Sequence, residues 1–296
     1  LRVDGTEVTN AISIAAGSQH AVVLLADGTV LGIGNNSMGQ SVAGDGKVLG
    51  WLAVSNGGPY QFKSTFAQNS PGVVMLKGKR LDGVRQIAAA HHHNLALKDD
   101  GRVVGWGTDF RLEPFTPPAN LEGVQAVACG QDGDWFLKDG QVLEWRLQQL
   151  HSIMGLSNVT AIAGSTHNRS RCVALQKDGL LAASSTLTGT QILSGAHKDI
   201  RAIAAGWQVL ALHSDGRVSG FGGQTPKNLT NVAAVAVGYL YSMAARHDGT
   251  LALWGGQVPR PLNVPEGLSN VIAIALADHV GLAITTNAAV ANRFRR

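Results

Sequence analysis

A fixed internal repeat is the feature of this sequence that most constrains its fold. The clearest unit is VRQIAAAHHHNLALKDDGRVVGWG at 84–107, and it recurs as AISIAAGSQHAVVLLADGTVLGIG at 11–34 and as IRAIAAGWQVLALHSDGRVSGFGG at 200–223. Weaker copies bring the number to seven and begin at Val124, Val159, Val232 and Val271. A period of 20–50 residues indicates a repeat architecture, because one such unit cannot bury its own apolar faces.

Each copy predicts three short strands. An alternating apolar run ends at a small residue, a second run ends at Asp-Gly, and a third ends in Gly-Trp-Gly or a variant of it. Asp-Gly between two apolar runs is a strong hairpin signal, because the turn needs positive φ angles. The pair occurs in six copies, at 27–28, 100–101, 139–140, 178–179, 215–216 and 248–249, and Thr286-Asn287 takes its place in the seventh.

These repeats predict an all-β fold, a seven-bladed β-propeller with short, mostly three-stranded blades, in a single domain over 1–296. Sheets stacked around an axis bury both faces, and radial closure leaves only short edges. A linear solenoid is the alternative, but it would need polar capping units, whereas the last copy stays apolar through Ile272, Ile274 and Ile284. The segment 3–8 could complete the last blade beside 288–293.

One stretch breaks the regular spacing. Five of the six steps between equivalent first-strand positions are 32–42 residues long, whereas the step from Gly17 to Ala90 is 73. The extra segment contains DGKVLGW at 45–51, which copies a turn and a third strand without a first strand. We interpret 39–81 as an insertion in the first blade, with an eighth, degenerate blade as the alternative.

Composition argues against several classes of partner. The net charge is only +4, and the one dense basic stretch is 293–296, so we expect no nucleic-acid partner. No run of 18 apolar residues is present, so we expect no membrane span. Cys129 and Cys172 do not belong to a set with metal-ligand spacing and are interpreted as small buried residues, not as a bridge.

The histidines at 91–93 suggest a metal cluster, but the repeat favours a structural explanation. One position, three residues after the first-strand glycine, recurs from blade to blade as His20, His93, His167 and His279. A recurring position is explained by packing at the start of the second strand. That interpretation leaves His91 and His92 as the surface candidates, and we predict no metal and no cofactor.

Catalytic motifs are also absent from the sequence. The Asp-Gly aspartates are turn residues spread around a rim, and no feature brings two of them to the separation that glycoside hydrolysis uses. No G-x-S-x-G elbow occurs. Trp106, Trp145 and Trp254 recur five residues after their turn glycines, which is typical of packing between blades. We therefore predict that the chain is not an enzyme.

The pattern A-I-A-x-G, then His, L-A-L, Asp-Gly and G-W-G resembles the repeat of the regulator of chromosome condensation superfamily over 11–293. It looks closest to the short-bladed bacterial branch typified by beta-lactamase inhibitory protein II, because PEGLSNV at 265–271 and PPANLEGV at 117–124 match the linker of that branch. The resemblance implies a bacterial, secreted or cell-surface propeller that binds proteins through one face. No charged leader with an apolar segment precedes the first repeat, so secretion is an expectation that the resemblance alone implies.

In that branch the partner is contacted by two loops per blade, one after the first-strand glycine and one after the third strand. Carried over by position, the resemblance implies a partner-binding set of His91, His92, Asp109, Phe110, Gln131, Asp132, Trp207, Gln208 and Tyr239. The predicted function is a non-catalytic protein-binding module. The alternatives are a carbohydrate-binding propeller and an activity like that of a guanine nucleotide exchange factor or a beta-lactamase inhibitor.

Overall fold

The computed structural model describes residues 2–3, 6–7, 10–18, 20–41, 72–109, 111–119, 121–165, 171–185, 189–194, 199–256, 264, 268–276 and 281–285. All regular structure in these ranges is β, and every strand pairing is antiparallel. Within the same ranges no helix is long and apolar enough to cross a membrane. The predicted all-β class is confirmed.

Most strands belong to seven sheets that succeed one another along the chain, here called blades 1 to 7. Ahead of them, β1 (Arg2–Val3) pairs with β2 (Thr6–Glu7). Blade 1 contains β3 (Ala11–Ala16), β4 (His20–Leu25), β5 (Val30–Gly34) and β6 (Gly72–Val73). A separate hairpin follows, formed by β7 (Met75–Leu76) and β8 (Lys79–Arg80).

The next three blades lie in the middle of the chain. Blade 2 contains β9 (Val84–Ala89), β10 (His93–Lys98) and β11 (Val103–Gly107). Blade 3 contains β12 (Ala126–Cys129), β13 (Asp134–Lys138), β14 (Gln141–Arg146) and β15 (Gln149–Ser152). Blade 4 contains β16 (Val159–Gly164), β17 (Cys172–Gln176), β18 (Leu181–Ser185) and β19 (Gly189–Ser194).

The last three blades complete the series. Blade 5 contains β20 (Ile200–Ala205), β21 (Val209–His213) and β22 (Val218–Phe221). Blade 6 contains β23 (Val232–Val237), β24 (Tyr241–Arg246) and β25 (Leu251–Gly255). In blade 7 the structure describes β26 (Val271–Leu276) and β27 (Gly281–Thr285).

The blades close into a ring because the last one packs against the first. Ala275 and Leu282 of blade 7 share a buried apolar cluster with Ala21 of blade 1. Each of the other six pairs of neighbouring blades encloses a cluster of its own. The core is therefore a set of layers between sheets, which confirms the propeller and rules out an open solenoid.

Seven of the nine sheets among the described residues follow one another around the ring, which is consistent with seven blades; the other two are the hairpins β1–β2 and β7–β8. Of the region 39–81, the structure describes β6, which adds a fourth strand to blade 1, and the hairpin β7–β8. Residues 42–71 lie outside the described residues, so both the insertion and the alternative of an eighth blade stay predictions. The same holds for the strand expected at 288–293.

The Asp-Gly turns form as predicted, but in two ways. At Asp139-Gly140 both residues have positive φ, 50° and 72°. At the other five turns only the glycine does, and the aspartate carboxylate accepts a hydrogen bond from the backbone N–H two residues later. Most of these turns thus depend on both side chain and backbone, because Asp stabilises its own turn locally.

The turn glycines also join neighbouring blades. Their carbonyls accept hydrogen bonds of 2.9–3.2 Å from a valine N–H at or just before the first strand of the next blade, at Val84, Val124, Val159, Val232 and Val271. The residue before each of these valines has positive φ, at Gly83, Gly123, Asn158, Asn231 and Asn270. This bend explains the Asn-Val and Gly-Val pairs of the linkers, since Gly and Asn tolerate left-handed backbone.

Replacing Gly249 with alanine is expected to destabilise the protein by about 2–3 kcal/mol. Its φ is +79°, and an added Cβ would lie 2.5 Å from the backbone N of Asn270 in the next linker. Gly78 is a matched control, because its φ is +75° with nothing within 4 Å. Urea denaturation should show a smaller loss for Gly78→Ala, and equal losses would contradict the close approach of the blades.

Candidate functional site

Both predicted sets of loops lie at the same end of the blades, here called the loop face. In blade 2 the N–H of Thr108, which follows the third strand, donates to the carbonyl of His92, which follows the first strand, at 2.9 Å. In blade 6 the N–H of Gly256 donates likewise to the carbonyl of Leu240 at 2.8 Å. The Asp-Gly turns lie at the opposite end, here called the turn face.

Two exposed aromatic residues from neighbouring blades lie in adjacent loops of the loop face. Trp207 of blade 5 is 39% exposed and Tyr239 of blade 6 is 45% exposed. The backbone N–H of Trp207 donates to the carbonyl of Gly238 at 3.2 Å, so the two loops are joined. The predicted aromatic residues are therefore brought together on a hydrogen-bonded backbone.

Trp207 also lines a groove of about 400 Å³ between blades 4 and 5, here called the Trp207 groove. Blade 4 contributes Arg171, Gln191 and Ile192 to its walls. Arg171 Nη1 donates to Gln191 Oε1 at 3.1 Å, and Ile192 is 53% exposed. The groove thus combines apolar surface with polar groups held in place, as binding sites commonly do.

A second pocket, of about 430 Å³, lies between blades 2 and 3 and is here called the Asp132 pocket. It brings together three predicted residues, Asp109, Gln131 and Asp132, and adds Arg146. The Asp132 Oδ2 and Arg146 Nη2 atoms are 3.9 Å apart. The Asp132 pocket lies between blades 2 and 3, whereas the Trp207 groove lies between blades 4 and 5. The predicted residues therefore form two separate groups.

Asp109 has a structural role in the rim of the Asp132 pocket. Its Oδ1 accepts hydrogen bonds from the N–H of Arg111 at 2.8 Å and from the N–H of Glu113 at 3.1 Å. These bonds fix the loop after β11. Phe110, the other predicted residue of this loop, lies outside the described residues, and its predicted role is untested.

His91 and His92 are half-buried neighbours. Their rings meet edge to face, with centroids 5.8 Å apart and an interplanar angle of 80°. Partial burial lowers the pKa of His92, and the adjacent His91 and His93 lower it further. His92 therefore favours the neutral form near pH 7.

Gln208 is not on the surface, which corrects its predicted place in the contact set. The side chain is only 2% exposed, and its Nε2 donates to Ser242 Oγ in the next blade. The loop of blade 5 is one residue shorter than that of blade 2, so Gln208 occupies the position of His93. Both residues stand two positions before the L-A-L run.

The recurring histidine position forms a polar link between blades. His20 Nε2 and Asn94 Oδ1 are 2.8 Å apart, and His93 Nε2 and Asp134 Oδ1 are 2.9 Å apart. Both histidines are buried, which confirms their structural interpretation. His167 and His279 lie outside the described residues. Sequence analysis missed the acceptors, although all of them follow the histidine position by one residue in the next copy.

The predicted packing of the tryptophans and cysteines is confirmed. Trp106 is buried in the cluster between blades 1 and 2, and its Nε1 donates to the Gln40 carbonyl at 3.1 Å. Trp145 and Trp254 pack against the equivalent clusters of later blades. Cys129 and Cys172 are buried free thiols whose pKa values are raised by burial, so neither is activated as a nucleophile.

One Ser-His-Asp arrangement occurs in blade 5. His213 Nδ1 is 2.8 Å from Asp199 Oδ2, and His213 Nε2 is 2.7 Å from Ser219 Oγ. His213 thus contacts the linker that precedes its own blade, through Asp199. Gln176 does the same in blade 4, where its Oε1 accepts a hydrogen bond from the N–H of Ser157 at 3.1 Å. Ser219 lines neither the Trp207 groove nor the Asp132 pocket. This arrangement therefore has a structural explanation.

Comparison with known proteins supports the repeat and the fold. Residues 11–40 match the regulator of chromosome condensation (RCC1) repeat. The chain is 32% identical over 111 residues to protein pim1 of Schizosaccharomyces pombe, a match that covers 38% of this chain and 19% of pim1. The match thus spans about a fifth of the length of that relative.

Solved structures extend the similarity to almost the whole chain. Prp20p of Saccharomyces cerevisiae superposes with a TM-score of 0.68 and 19% identity, covering 96% of this chain and 84% of Prp20p. Human WBSCR16 superposes with a TM-score of 0.66 and 19% identity, covering 97% and 89%. The narrower resemblance to the bacterial branch stays a prediction. The chain therefore contains one segment, 11–40, that matches the RCC1 repeat, and over almost its whole length it has the β-propeller fold of these solved structures.

Proposed function

We propose that this chain is a non-catalytic binding module that holds a protein partner against its loop face, with Trp207 and Tyr239 as anchors. The observation that carries the proposal is the pair of exposed aromatic rings on two joined loops. Trp and Tyr are enriched among the residues that dominate protein–protein affinity. Exposed together, they form the kind of surface that usually marks an interaction site.

The surroundings of the pair support a preorganised surface. The hydrogen bond from Trp207 to Gly238 fixes the two loops relative to each other. Beneath them, the buried Gln208 and Ser242 side chains join the same two blades. A partner would therefore order little backbone on binding, which reduces the entropic cost of association.

Solved structures with the same fold support protein as the class of partner. The structure of Prp20p was described together with its binding properties to Gsp1p and histones, and yeast RCC1 (Prp20) was solved bound to Kap60. Because the identity is only 19%, we do not assign these particular partners to this chain. Exchange-factor-like activity, beta-lactamase inhibition and export are narrower proposals that rest on the sequence resemblance.

Carbohydrate is the second candidate ligand. Trp207 shares its groove with Arg171 and Gln191, whose side chains are hydrogen-bonded to each other. A flat aromatic face beside fixed polar groups could also hold a sugar ring. The groove alone does not favour this over a protein side chain, whereas the second exposed aromatic, Tyr239, favours the broader protein contact.

The double variant Trp207→Ala/Tyr239→Ala is expected to weaken partner binding while the fold is retained. Truncating each anchor should reduce affinity by about 1–2 kcal/mol, or roughly 5- to 30-fold. The measurement is affinity capture from the source organism with quantitative mass spectrometry, comparing wild type with the variant. Met154→Ala is the matched control, because Met154 is an exposed apolar residue beyond β15, toward the turn face.

Proteins that are lost with the double variant and kept with the control would support the proposal. A partner captured equally by all three chains would show that the loop face is not its binding site. A glycan array probed with the same three chains separates the second candidate, because sugar binding that depends on Trp207 would replace protein as the ligand.

A further inference from the structure

The boundary between blades 2 and 3 holds three side chains that could bind a metal. A ring nitrogen of His93, the Cys129 sulfur and a carboxylate oxygen of Asp134 all lie within 4.8 Å of one another, and all three residues are buried. His93 belongs to blade 2, whereas Cys129 and Asp134 are paired residues of blade 3. Nitrogen, sulfur and carboxylate oxygen are the ligand types that zinc takes in proteins.

The boundary between blades 1 and 2 is a built-in comparison. There the same polar link is made by His20 and Asn94, and Ala89 pairs with Asn94 where Cys129 pairs with Asp134. A neutral amide and a methyl group are therefore sufficient for the packing role. In blade 3 the methyl group is replaced by the Cys129 thiol and the amide by the Asp134 carboxylate, and both of these can bind a metal. Burying a carboxylate is unfavourable unless its charge is compensated.

The geometry suits a small tetrahedral ion after slight side-chain rotation. Zinc bonds of about 2.0–2.3 Å imply ligand separations of roughly 3.3–3.7 Å. His93 Nε2 and Asp134 Oδ1 are 2.9 Å apart, and the ligand atoms of the trio all lie within 4.8 Å of one another. Phe115 stacks on the His93 ring with centroids 4.2 Å apart, which holds the imidazole in place.

A pocket that opens to solvent reaches two members of the trio. His93 and Asp134 line the Asp132 pocket, which also carries Asp109, Asp132 and Arg146. The carboxylates near its rim would attract a divalent cation. Three protein ligands with a fourth position facing a pocket is the arrangement in which zinc can also take water or a ligand from outside.

We propose that His93, Cys129 and Asp134 bind one zinc ion between blades 2 and 3, with its fourth position open to the Asp132 pocket. Binding exchanges the thiol proton, which leaves to solvent, for a sulfur–zinc bond. Sequence spacing missed this set because its members come from two blades. Only the closure of one sheet against the next brings position 93 beside 129 and 134.

The test uses the purified chain after removal of metal with a chelator. Titration with zinc is expected to show one equivalent bound per chain and a raised midpoint of thermal unfolding, because the ion binds the folded state. Cobalt, used as a spectroscopic substitute, should give a thiolate-to-metal charge-transfer band and the strong visible bands of a four-coordinate ion. These bands identify Cys129 or another thiol as a ligand.

The decisive variant is Cys129→Ala/Asp134→Asn, which recreates the trio found between blades 1 and 2. This variant should keep the fold and lose the tightly bound zinc ion. Its zinc affinity should fall at least about 100-fold, because loss of a ligand has a larger effect than the 10–100-fold loss seen when a residue that only hydrogen-bonds to a ligand is replaced. His91→Ala/His92→Ala should bind zinc as wild type does. An equivalent of zinc that survives in the first variant, or that is lost in the second, would overturn the assignment.

A wild-type chain that binds no zinc would equally overturn it and leave the buried hydrogen bond between His93 and Asp134 as the explanation. If the double variant fails to fold, Cys129→Ser replaces it in the cobalt experiment. The charge-transfer band must then disappear, and a persisting band would assign the metal to Cys172 instead.

Discussion

Replacing Trp135 with alanine is expected to destabilise the protein by about 3–5 kcal/mol. Trp135 is completely buried in the cluster between blades 3 and 4. Its ring lies over Gly130 and Gly164, where an added Cβ would come within 2.6 Å and 3.1 Å of ring carbons. Because the neighbours are so small, they cannot fill the space left by the indole, and a cavity would remain.

Denaturant unfolding of three variants would check this prediction. Trp207→Ala is the control and should change the free energy of unfolding by less than about 0.5 kcal/mol, because its side chain is partly exposed. Trp135→Phe should lie between the two, since it removes less volume together with an indole N–H that has no hydrogen-bond acceptor. Similar losses for both alanine variants would contradict the layered core.

Acid is expected to destabilise the boundary between blades 1 and 2 through His20. Burial lowers the pKa of His20 from 6.5 to about 4; the nearby His91, His92 and His93 add to this effect, and the hydrogen bond to Asn94 opposes it. The unfolded chain therefore takes up a proton at higher pH than the folded chain. The contribution to stability is complete above pH 6.5 and falls by about 3 kcal/mol as pH drops to about 4.

His20→Gln isolates this effect from the other titrating groups. Glutamine occupies the same position in blade 5 as Gln208, so it fits the slot and hydrogen-bonds to the next blade without titrating. The free energy of unfolding of both chains would be measured from pH 7 to pH 4. Wild type should lose about 3 kcal/mol more than the variant over this range. Parallel curves would mean that His20 takes up its proton at the same pH in the folded and unfolded chains, which would contradict the lowered pKa.

The repeat by itself determined the class of fold and much of the core. Asp-Gly turns and alternating apolar runs are local signals, and each predicted hairpin from blade 1 to blade 6 forms. Closure also followed from the sequence, because the apolar last copy has no surface to bury except against the first. The positions of Trp106 and His93 were predictable for the same reason, since tryptophan and histidine each recur at one place in several units.

The fourth strands were decided by the tertiary structure. Gln149–Ser152 and Gly189–Ser194 add a fourth strand to blades 3 and 4, although mostly three-stranded blades were expected. These outer strands are largely exposed on their edge of the ring, so they carry little of the apolar alternation that identifies a strand. Backbone pairing holds them instead, and pairing leaves no mark on side-chain pattern.

The candidate sites were only partly determined by the sequence. Trp207 and Tyr239 could be placed on one face, because strand direction alone puts their loops there. The burial of Gln208 could not be predicted, because the loop of blade 5 is one residue shorter than that of blade 2 and Gln208 therefore takes the buried position of His93. The meeting of His93 with Cys129 and Asp134 was likewise hidden, since contacts between blades join residues far apart in the chain, and only packing of the sheets brings them together.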